Sequence, residues 1–369
     1  MSDLHGFDLS AGDRAPVCMG LTAKGTLYAS EAQSGRAVVM ILARTLESPG
    51  LPALLTAFSE QADALAAHEV DLVALIGEDV TSIFEFALAN PGRVTLVGSL
   101  NDFLQRAGYH GAAPQVLVLD RNQRVAARFA AADAASMVAS TMTTVTALPD
   151  EAAGDVWMPA PVLILPNLLD PELCQELIAL HDSGPCSDSP SLALDQRGRP
   201  VSGINHSLKK RSDFLLERDH PMSIRIGDIM QRRCIPEIKR AFQAHVSHTD
   251  RYNIACYPGD GGHFQRHRDN RPELISFRKF ALSINLTSSA GGYKGGFLRL
   301  PEFNSHHYRL ATGSGVIFSV ALLHEITPVL SGNRYVLITH FHDEEGEVRW
   351  LEMRRTLAAM PHGAAKSAA

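Results

Sequence analysis

Residues 251–269 read RYNIACYPGDGGHFQRHRD and combine a strand-like run, a glycine-rich turn and a His-x-Asp pair. From residue 251 onward the chain consists of short apolar runs separated by glycines, which is typical of antiparallel β-structure. Strands are predicted at 251–257, 279–286, 297–300, 316–320 and 335–341. Many short strands with glycine-rich turns predict a sandwich or barrel, and a double-sheet jelly roll (a double-stranded β-helix) is one such closure.

The first 150 residues have a different pattern, in which strands alternate with helices. This alternation predicts a mainly parallel sheet covered on both faces. The runs that carry the prediction are strands at 37–43, 70–77, 92–97, 116–120 and 124–129, and helices at 51–68 and 80–89. A polar, turn-rich stretch at 148–154 predicts a linker.

We therefore predict two domains and a tail. An α/β domain covers residues 1–150, a mainly-β domain with flanking helices covers 158–355, and a tail covers 356–369. Within the second domain, a helix is expected after Asp170, and another over residues 222–245 with an interruption at Pro236. The Gly-, Pro-, Ser- and Asp-rich segment 183–201 is predicted to be a mobile loop.

The composition of the 369-residue chain excludes several classes of protein. It is 45% hydrophobic and 20% charged, as expected of a globular protein, and its net charge of −6 favours neither nucleic acid nor an anionic membrane. No apolar run reaches the roughly 18 residues of a membrane span, and the N-terminus lacks a signal-peptide pattern. Five cysteines without a Cys-x-x-Cys pair exclude a disulfide framework and a thiolate zinc knuckle. We expect a cytoplasmic protein whose metal, if any, is held by some of its 16 histidines and by carboxylates.

His267, Asp269 and His324 form a candidate metal site. Residues two apart on a strand point to the same face, so His267 and Asp269 can converge on one ion, while His324 follows an apolar strand. Two imidazoles and one carboxylate leave three adjacent positions open, as in non-haem Fe(II) oxygenases. Zinc is the competing metal, although it prefers four ligands. A second His-x-Asp pair, His248 and Asp250, is interpreted as a solvated turn.

Arg334 is the candidate cosubstrate residue. Fe(II) oxygenases of this type bind 2-oxoglutarate, whose far carboxylate needs a fixed cation, and the arginine fork can bind both carboxylate oxygens. Arg334 lies ten residues beyond His324, across the turn at 330–333. An antiparallel return of the chain is expected to bring Arg334 beside the metal.

Three ordered segments resemble the prolyl 4-hydroxylase-like dioxygenases. Residues 255–261 (ACYPGDG), followed by Phe264, His267, Asp269 and Asn270, look like the first metal-ligand segment of that family, and especially like the oxygen-sensing prolyl hydroxylases. Residues 295–301 (GGFLRLP) look like its Gly-Gly strand. Residues 324–329 (HEITPV) and 332–335 (GNRY) resemble its distal-ligand and arginine segment. The resemblance covers roughly residues 160–345.

The resemblance implies an Fe(II)- and 2-oxoglutarate-dependent dioxygenase that uses O2, with ascorbate as reductant. It implies iron ligands at His267, Asp269 and His324, Arg334 on the distal carboxylate, and Tyr257 in the cosubstrate pocket. The implied reaction hydroxylates a C–H bond and releases succinate and CO2. Related halogenases have a small residue in place of the carboxylate, so Asp269 favours hydroxylation.

The substrate is left open between two classes. A prolyl or other residue of a peptide or protein is the first hypothesis, and a free amino acid or peptide-like metabolite is the alternative. Two residues are candidate substrate contacts: His340, which stands where the family often has an aromatic residue, and Arg211, which ends a basic run at 209–211. A non-catalytic binding protein with two degenerate domains is the hypothesis from another class.

The N-terminal domain resembles the peroxiredoxin branch of the thioredoxin fold. Residues 12–17 (GDRAPV), 113–117 (APQVL) and 120–122 (DRN) look like family segments. The redox cysteine of that family should follow the strand at 37–43, but residues 44–50 read RTLESPG, and Cys18 is the only cysteine of the domain. We therefore expect that the domain has lost thiol chemistry, which opposes a thiol peroxidase. It is expected to pack on the oxygenase domain, to form a homodimer or to help bind substrate.

Overall fold

The computed structural model describes residues 9–99, 102–130, 133–149, 155, 157–194, 200–271, 275–288 and 291–359. The chain divides into two compact units, residues 1–153 and 154–369. Within the described ranges, no helix is both long enough and apolar enough to cross a bilayer. Most of the predicted linker and all of residues 360–369 lie outside the described residues.

The first unit contains seven strands and five α-helices among its described residues. The strands are β1 (Met19–Thr22), β2 (Leu27–Ala29), β3 (Ala37–Ala43), β4 (Val70–Ile76), β5 (Thr95–Ser99), β6 (Gln115–Leu119) and β7 (Val125–Phe129). The helices are α1 (Leu51–Glu60), α2 (Ala62–Ala67), α3 (Val80–Ala89), α4 (Phe103–Arg106) and α5 (Ala134–Thr146). The helix predicted at 51–68 is thus two helices, separated at Gln61.

The sheet of the first unit has the order β2-β1-β5-β4-β3-β6-β7. Parallel pairing is confined to β3, β4 and β5, so the prediction of a mainly parallel sheet was wrong. The reason is that β6 and β7 form an antiparallel hairpin, which needs no crossover helix. A βαβ unit followed by a ββα unit is the thioredoxin-like arrangement, as predicted. All seven residues of β3 are buried, since alternate side chains enter apolar cores on opposite faces.

The second unit contains the remaining elements. Its strands are β8 (Val162–Leu165), β9 (Ser187–Asp188), β10 (Ser191–Leu194), β11 (Pro200–Gly203), β12 (Lys209–Lys210), β13 (Ser212–Leu216), β14 (His248–Thr249), β15 (Tyr252–Tyr257), β16 (His263–His267), β17 (Phe280–Asn285), β18 (Tyr293–Gly295), β19 (Leu298–Arg299), β20 (Gly315–Ser319), β21 (His324–Ile326), β22 (Val329–Gly332) and β23 (Arg334–His342). Its helices are α6 (Pro171–Ser183), α7 (Pro221–Ile229), α8 (Ile235–Phe242) and α9 (Glu344–Ala359).

Two antiparallel sheets form the core of this unit. The larger has the order β8-β20-β17-β23-β15-β13-β9, with β14 also paired to β23, and the smaller has the order β12-β16-β21-β19. Apolar side chains of α6, α7 and α8 pack against one face of the larger sheet. The other face shares a second apolar core with residues of the smaller sheet. This is the predicted double-stranded β-helix with flanking helices.

Strand β23 shows how the alternation of a strand positions the site. Leu337 and Phe341 belong to the helix-covered core, whereas Val336 and Ile338 belong to the core between the sheets. Arg334 and His340 have the same parity as Val336 and Ile338, so they point to the same face. The inner face of β23 therefore carries Arg334 and His340, the predicted cosubstrate residue and a predicted substrate contact.

Three boundaries differ from the sequence prediction. The segment 183–201, predicted as a mobile loop, contains β9 and β10. The helix predicted at 222–245 is divided by a π-helical turn at Met230–Cys234, just before Pro236, which cannot donate a backbone hydrogen bond to an α-helix. Helix α9 continues to Ala359, so residues 356–359 of the predicted tail are helical.

Candidate metal centre

The three predicted ligands meet where two strands of the smaller sheet pair. Strands β16 and β21 are antiparallel, and His267 lies directly opposite His324. A register shift between Phe264 and His267 interrupts the pairing just before the ligands. Asp269 follows two residues beyond His267, and its backbone N–H donates to the carbonyl of Val320 at 3.0 Å.

The ligand atoms of the three residues converge on one point. One ligand atom from each of His267, Asp269 and His324 lies within 4.8 Å of the other two. The Nε2 atom of His267 lies 3.4 Å from Oδ1 of Asp269, and the Nε2 atom of His324 lies 3.4 Å from Oδ2. Two imidazole nitrogens and a carboxylate oxygen at this spacing fit a divalent transition metal.

Backbone carbonyls orient both imidazole rings for metal binding. The Nδ1 atom of His267 lies 2.7 Å from the carbonyl oxygen of Gln265, and that of His324 lies 3.0 Å from the carbonyl of Leu322. A carbonyl only accepts hydrogen bonds, so each Nδ1 carries the hydrogen and each Nε2 keeps its lone pair for the ion. The ring of Phe264 stacks on His267 with 3.5 Å between centroids and limits its rotation.

The protonation of the cluster favours a cation. Burial lowers the pKa of His267, which keeps its imidazole neutral and able to bind a metal. Burial alone would raise the pKa of Asp269, but the attraction of His324 and the close imidazoles of His267 and His340 hold it well below the usual range. The carboxylate is therefore ionised at neutral pH, as a metal ligand must be.

Arg334 is buried against Tyr257, with part of its guanidinium unpaired among the described residues. It is the first residue of β23 and pairs with Tyr257 of β15, whose ring lies 5.5 Å from the guanidinium carbon. Only 5% of Arg334 is exposed, and its Nε and Nη1 atoms have no hydrogen-bond partner among the described residues. A buried cation with free donors fits an anionic ligand.

Arg211 links the surroundings of Arg334 to those of the metal ligands. Its guanidinium carbon lies 5.7 Å from the ring of Tyr257 and 5.8 Å from the ring of Phe264, which stacks on His267. Its Nη1 donates to the Tyr257 hydroxyl at 3.1 Å, and its Nε donates to Asp213 at 2.8 Å. Arg211 thus supports the wall of the site through Tyr257, while its role as a substrate contact stays a prediction.

The basic run that contains Arg211 is not a solvated surface. Lys209 is buried, and its Nζ donates to the carbonyl of Pro190 at 2.6 Å while lying 4.9 Å from the Phe264 ring. Burial and the neighbouring Arg211 lower the pKa of Lys209 to about 8. Lys209 therefore connects Pro190, just before β10, with Phe264, which stacks on the predicted ligand His267.

Asp250 corrects the interpretation of the second His-x-Asp pair as a solvated turn. Asp250 is only 5% exposed. Its carboxylate accepts a hydrogen bond from the backbone N–H of His340 at 3.0 Å and lies 3.1 Å from Nδ1 of the same residue. The Nε2 atom of His340 lies 3.4 Å from Oδ2 of Asp269. Burial and the positive charge of Arg278 lower the pKa of His340. The nearby carboxylates of Asp250 and Asp269 outweigh them, so the pKa of His340 is raised. The pair was misread because the pairing of β14 with β23 is invisible in the sequence.

The first unit provides no reactive thiol among its described residues. Cys18 is fully buried, and burial raises its pKa to about 12, so it stays a thiol at neutral pH. Ser48, in the loop where the redox cysteine was sought, is buried and its hydroxyl accepts from the backbone N–H of Thr45 at 3.2 Å. The loss of thiol chemistry from this domain stays a prediction.

Several known proteins are similar to parts of this chain. Residues 252–342 match the 2OG-Fe(II) oxygenase superfamily. A PKHD-type hydroxylase of Shewanella oneidensis is 28% identical over 163 residues, which cover 42% of this chain and 71% of that protein. A solved prolyl-4-hydroxylase of Pseudomonas putida covers 50% of this chain and 94% of its own, at 17% identity and a TM-score of 0.39. Peroxidoxin BcpB of Mycobacterium tuberculosis covers 38% and 99%, at 15% identity and a TM-score of 0.35.

The family match coincides with the strands that build the site. It begins at the first residue of β15 and ends at the last residue of β23, so it contains His267, Asp269, His324 and Arg334. Members of this family use Fe(II), 2-oxoglutarate and O2, and the converging His-Asp-His cluster fits the iron. Residues 252–342 are therefore similar to the 2OG-Fe(II) oxygenase superfamily, and the chain is an Fe(II)/2-oxoglutarate-dependent dioxygenase.

Proposed function

We propose that the second unit hydroxylates a C–H bond and converts 2-oxoglutarate to succinate and CO2. In this proposal His267, Asp269 and His324 hold Fe(II), and Arg334 binds the distal carboxylate of 2-oxoglutarate. Tyr257 forms the wall beneath that carboxylate. Ascorbate is proposed as the reductant that keeps the iron in the Fe(II) state.

The observation that carries the proposal is the unpaired guanidinium of Arg334. A buried arginine without a counter-ion costs stability, because its donors have lost water and gained no acceptor. Nε and Nη1 of Arg334 are in that state among the described residues, and contacts through Tyr257, Arg211 and Phe264 connect Arg334 to the cluster that fits a metal ion. A ligand with a chelating end and a distal carboxylate, such as 2-oxoglutarate, would satisfy both features.

The residues of the chain have separate tasks in this reaction. The bound iron supplies the activation of O2 that the protein groups cannot provide. His267, Asp269 and His324 would hold the iron, and a set of only three protein ligands would leave room on it for the cosubstrate and O2. Arg334 orients the cosubstrate, while the apolar side chains of Phe264, Phe318 and Ile326 help to exclude water from the site.

For the substrate we propose a prolyl residue of a peptide or protein. The support is the resemblance of residues 255–261 and 324–335 to the prolyl hydroxylases. A free amino acid or peptide-like metabolite is the alternative, because His340 replaces the aromatic residue that the family often has there, and a fold does not determine a substrate.

Gly296→Ala is expected to raise the KM for 2-oxoglutarate about tenfold. Gly296 has φ +64°, and an added Cβ would lie 2.9 Å from Cδ of Arg334 and 2.8 Å from Val329, so the arginine must shift. Backbone strain and crowding should together cost about 1–3 kcal/mol of stability. Gly25→Ala is the matched control, because Gly25 has φ +75° but open space around it. An unchanged KM in Gly296→Ala would show that the position of Arg334 does not matter.

Succinate production by the wild-type protein tests the proposed function. The protein, supplied with Fe(II), ascorbate and 2-oxoglutarate, is incubated with proline-containing peptides, free amino acids or a cell extract. We expect succinate to form with one of these classes, together with a product that has gained the mass of one oxygen atom. The Asp269→Ala protein gives the background. If no substrate raises succinate above that background, the hypothesis of a non-catalytic binding protein is favoured.

A further inference from the structure

A row of four ionisable side chains lies behind the metal cluster. The Nη2 atom of Arg278 lies 2.7 Å from Oδ2 of Asp250. The same oxygen lies 3.1 Å from Nδ1 of His340, whose Nε2 lies 3.4 Å from Oδ2 of Asp269. Basic and acidic side chains alternate along the row, so each has a neighbour of the opposite kind. The row ends on a residue that we assign to iron.

The backbone fixes the middle of this row. Oδ1 of Asp250 accepts from the backbone N–H of His340 at 3.0 Å and from the hydroxyl of Thr339 at 3.2 Å. The backbone N–H of Asp250 in turn donates to the carbonyl of His340 at 3.0 Å. Asp250 and His340 are 5% and 9% exposed, so water competes little for these bonds. The His340 ring is therefore held in one orientation, with Nε2 facing Asp269.

We propose that His340, held by Asp250, is a positioning residue for the iron carboxylate Asp269. This inference rests on the proposed function, because it needs Asp269 to be a metal ligand. A carboxylate that is free to rotate can bind an ion through one oxygen or through both, and the second mode occupies an open position of the metal. A partner on Oδ2 would fix the plane of the carboxylate and so restrict how it can bind the ion. Groups behind a metal ligand commonly act in this way.

His340 is distinct from the ligands themselves. Among the described residues, the ligand atoms that converge within 4.8 Å belong to His267, Asp269 and His324, and His340 is outside this set. The two ligand histidines direct Nδ1 to backbone carbonyls, whereas His340 directs Nδ1 to a carboxylate that is itself paired with Arg278. His340 thus acts on the ion through Asp269.

Mn(II) binding, measured by titration calorimetry on the full chain without cosubstrate, tests the inference. His340→Leu removes the contact to Asp269 and is expected to weaken Mn(II) binding about 10- to 100-fold. His340→Gln keeps a donor near the same position and should stay within about threefold of the wild type. Asp250→Asn removes the charge that anchors His340 and should weaken binding at least about threefold. His342→Gln is the control, because His342 is buried on the same strand but contacts Glu347 instead.

Circular dichroism shows which variants fold, and each binding result then decides the question. Equal affinity of the wild type and His340→Leu, or tighter binding by His340→Leu, would overturn the inference and leave the proposed function intact. Equal losses in folded His340→Leu and His340→Gln would also overturn it, since the donor would then be irrelevant. If His340→Leu does not fold, unchanged binding by Asp250→Asn overturns it. A wild type that binds no Mn(II) would overturn the proposed function together with this inference.

Discussion

Asp269→Ala is expected to abolish the visible charge-transfer absorption that Fe(II) and 2-oxoglutarate produce when added to the protein without oxygen. Asp269 is the anionic member of the proposed iron site, and its carboxylate faces His267, His324 and His340. Its removal takes away one of three ligands and leaves three imidazoles without the charge between them. The loss of metal affinity should exceed the 10- to 100-fold that follows the loss of a group behind a ligand. Succinate formation should fall to background.

A matched carboxylate separates this effect from a change of net charge. Asp260 is exposed on the turn before β16, where it pairs with Lys210 at 3.0 Å. Asp260→Ala removes the same charge from the same domain and should leave the absorption and the rate unchanged. A folded Asp269→Ala protein that still gives the absorption would contradict the assignment of the iron ligands.

The pair His267 and Asp269 could be predicted because its geometry is local: the residues are two apart at the end of a strand. His324 follows an apolar run, but it meets this pair through β16 and β21, which are remote in the chain, and the family resemblance was needed to select it. Arg334 required one further step, the antiparallel return from β21 through β22 to β23, which are neighbouring strands along the chain.

Asp250 could not be predicted in this way because its partner is remote. The hydrogen bonds between Asp250 and His340 join residues 90 positions apart in the chain. Two His-x-Asp pairs look alike in the sequence, and only the register of β14 and β15 against β23 shows that both contribute to one site. A histidine where the family often has an aromatic residue was the available signal, since a buried histidine needs polar partners.

The errors in the fold have the same origin. The apolar pattern of β6 indicates a buried strand, but a buried strand in a mixed sheet can be parallel or antiparallel to its neighbours. The Gly-, Pro-, Ser- and Asp-rich composition of residues 183–201 hides β9 and β10, because strands of two and four residues are too short to show a reliable alternation. Local composition thus predicts the kind of element and leaves its partners open.

Arg334→Met is expected to remove nearly all affinity for 2-oxoglutarate while the protein remains folded. A hydrogen bond between charged groups contributes about 1.5–3 kcal/mol, so two bonds from the guanidinium correspond to a loss of about 100-fold or more. Methionine has a similar length and no charge, so it also removes the buried donors of Arg334 that lack partners. The stability of the ligand-free protein should therefore be unchanged or higher.

Thermal unfolding in the presence of Mn(II), with and without 2-oxoglutarate, separates these two effects. Because a ligand that binds the folded state stabilises it, 2-oxoglutarate should raise the Tm of the wild type and leave that of Arg334→Met unchanged. Arg299→Met is the control, since Arg299 lies on the smaller sheet and already pairs with Glu325 at 3.3 Å. Its Tm should still respond to 2-oxoglutarate. If Arg334→Met keeps the full response, the distal carboxylate binds elsewhere, and the unpaired guanidinium loses the role that the proposed function gives it.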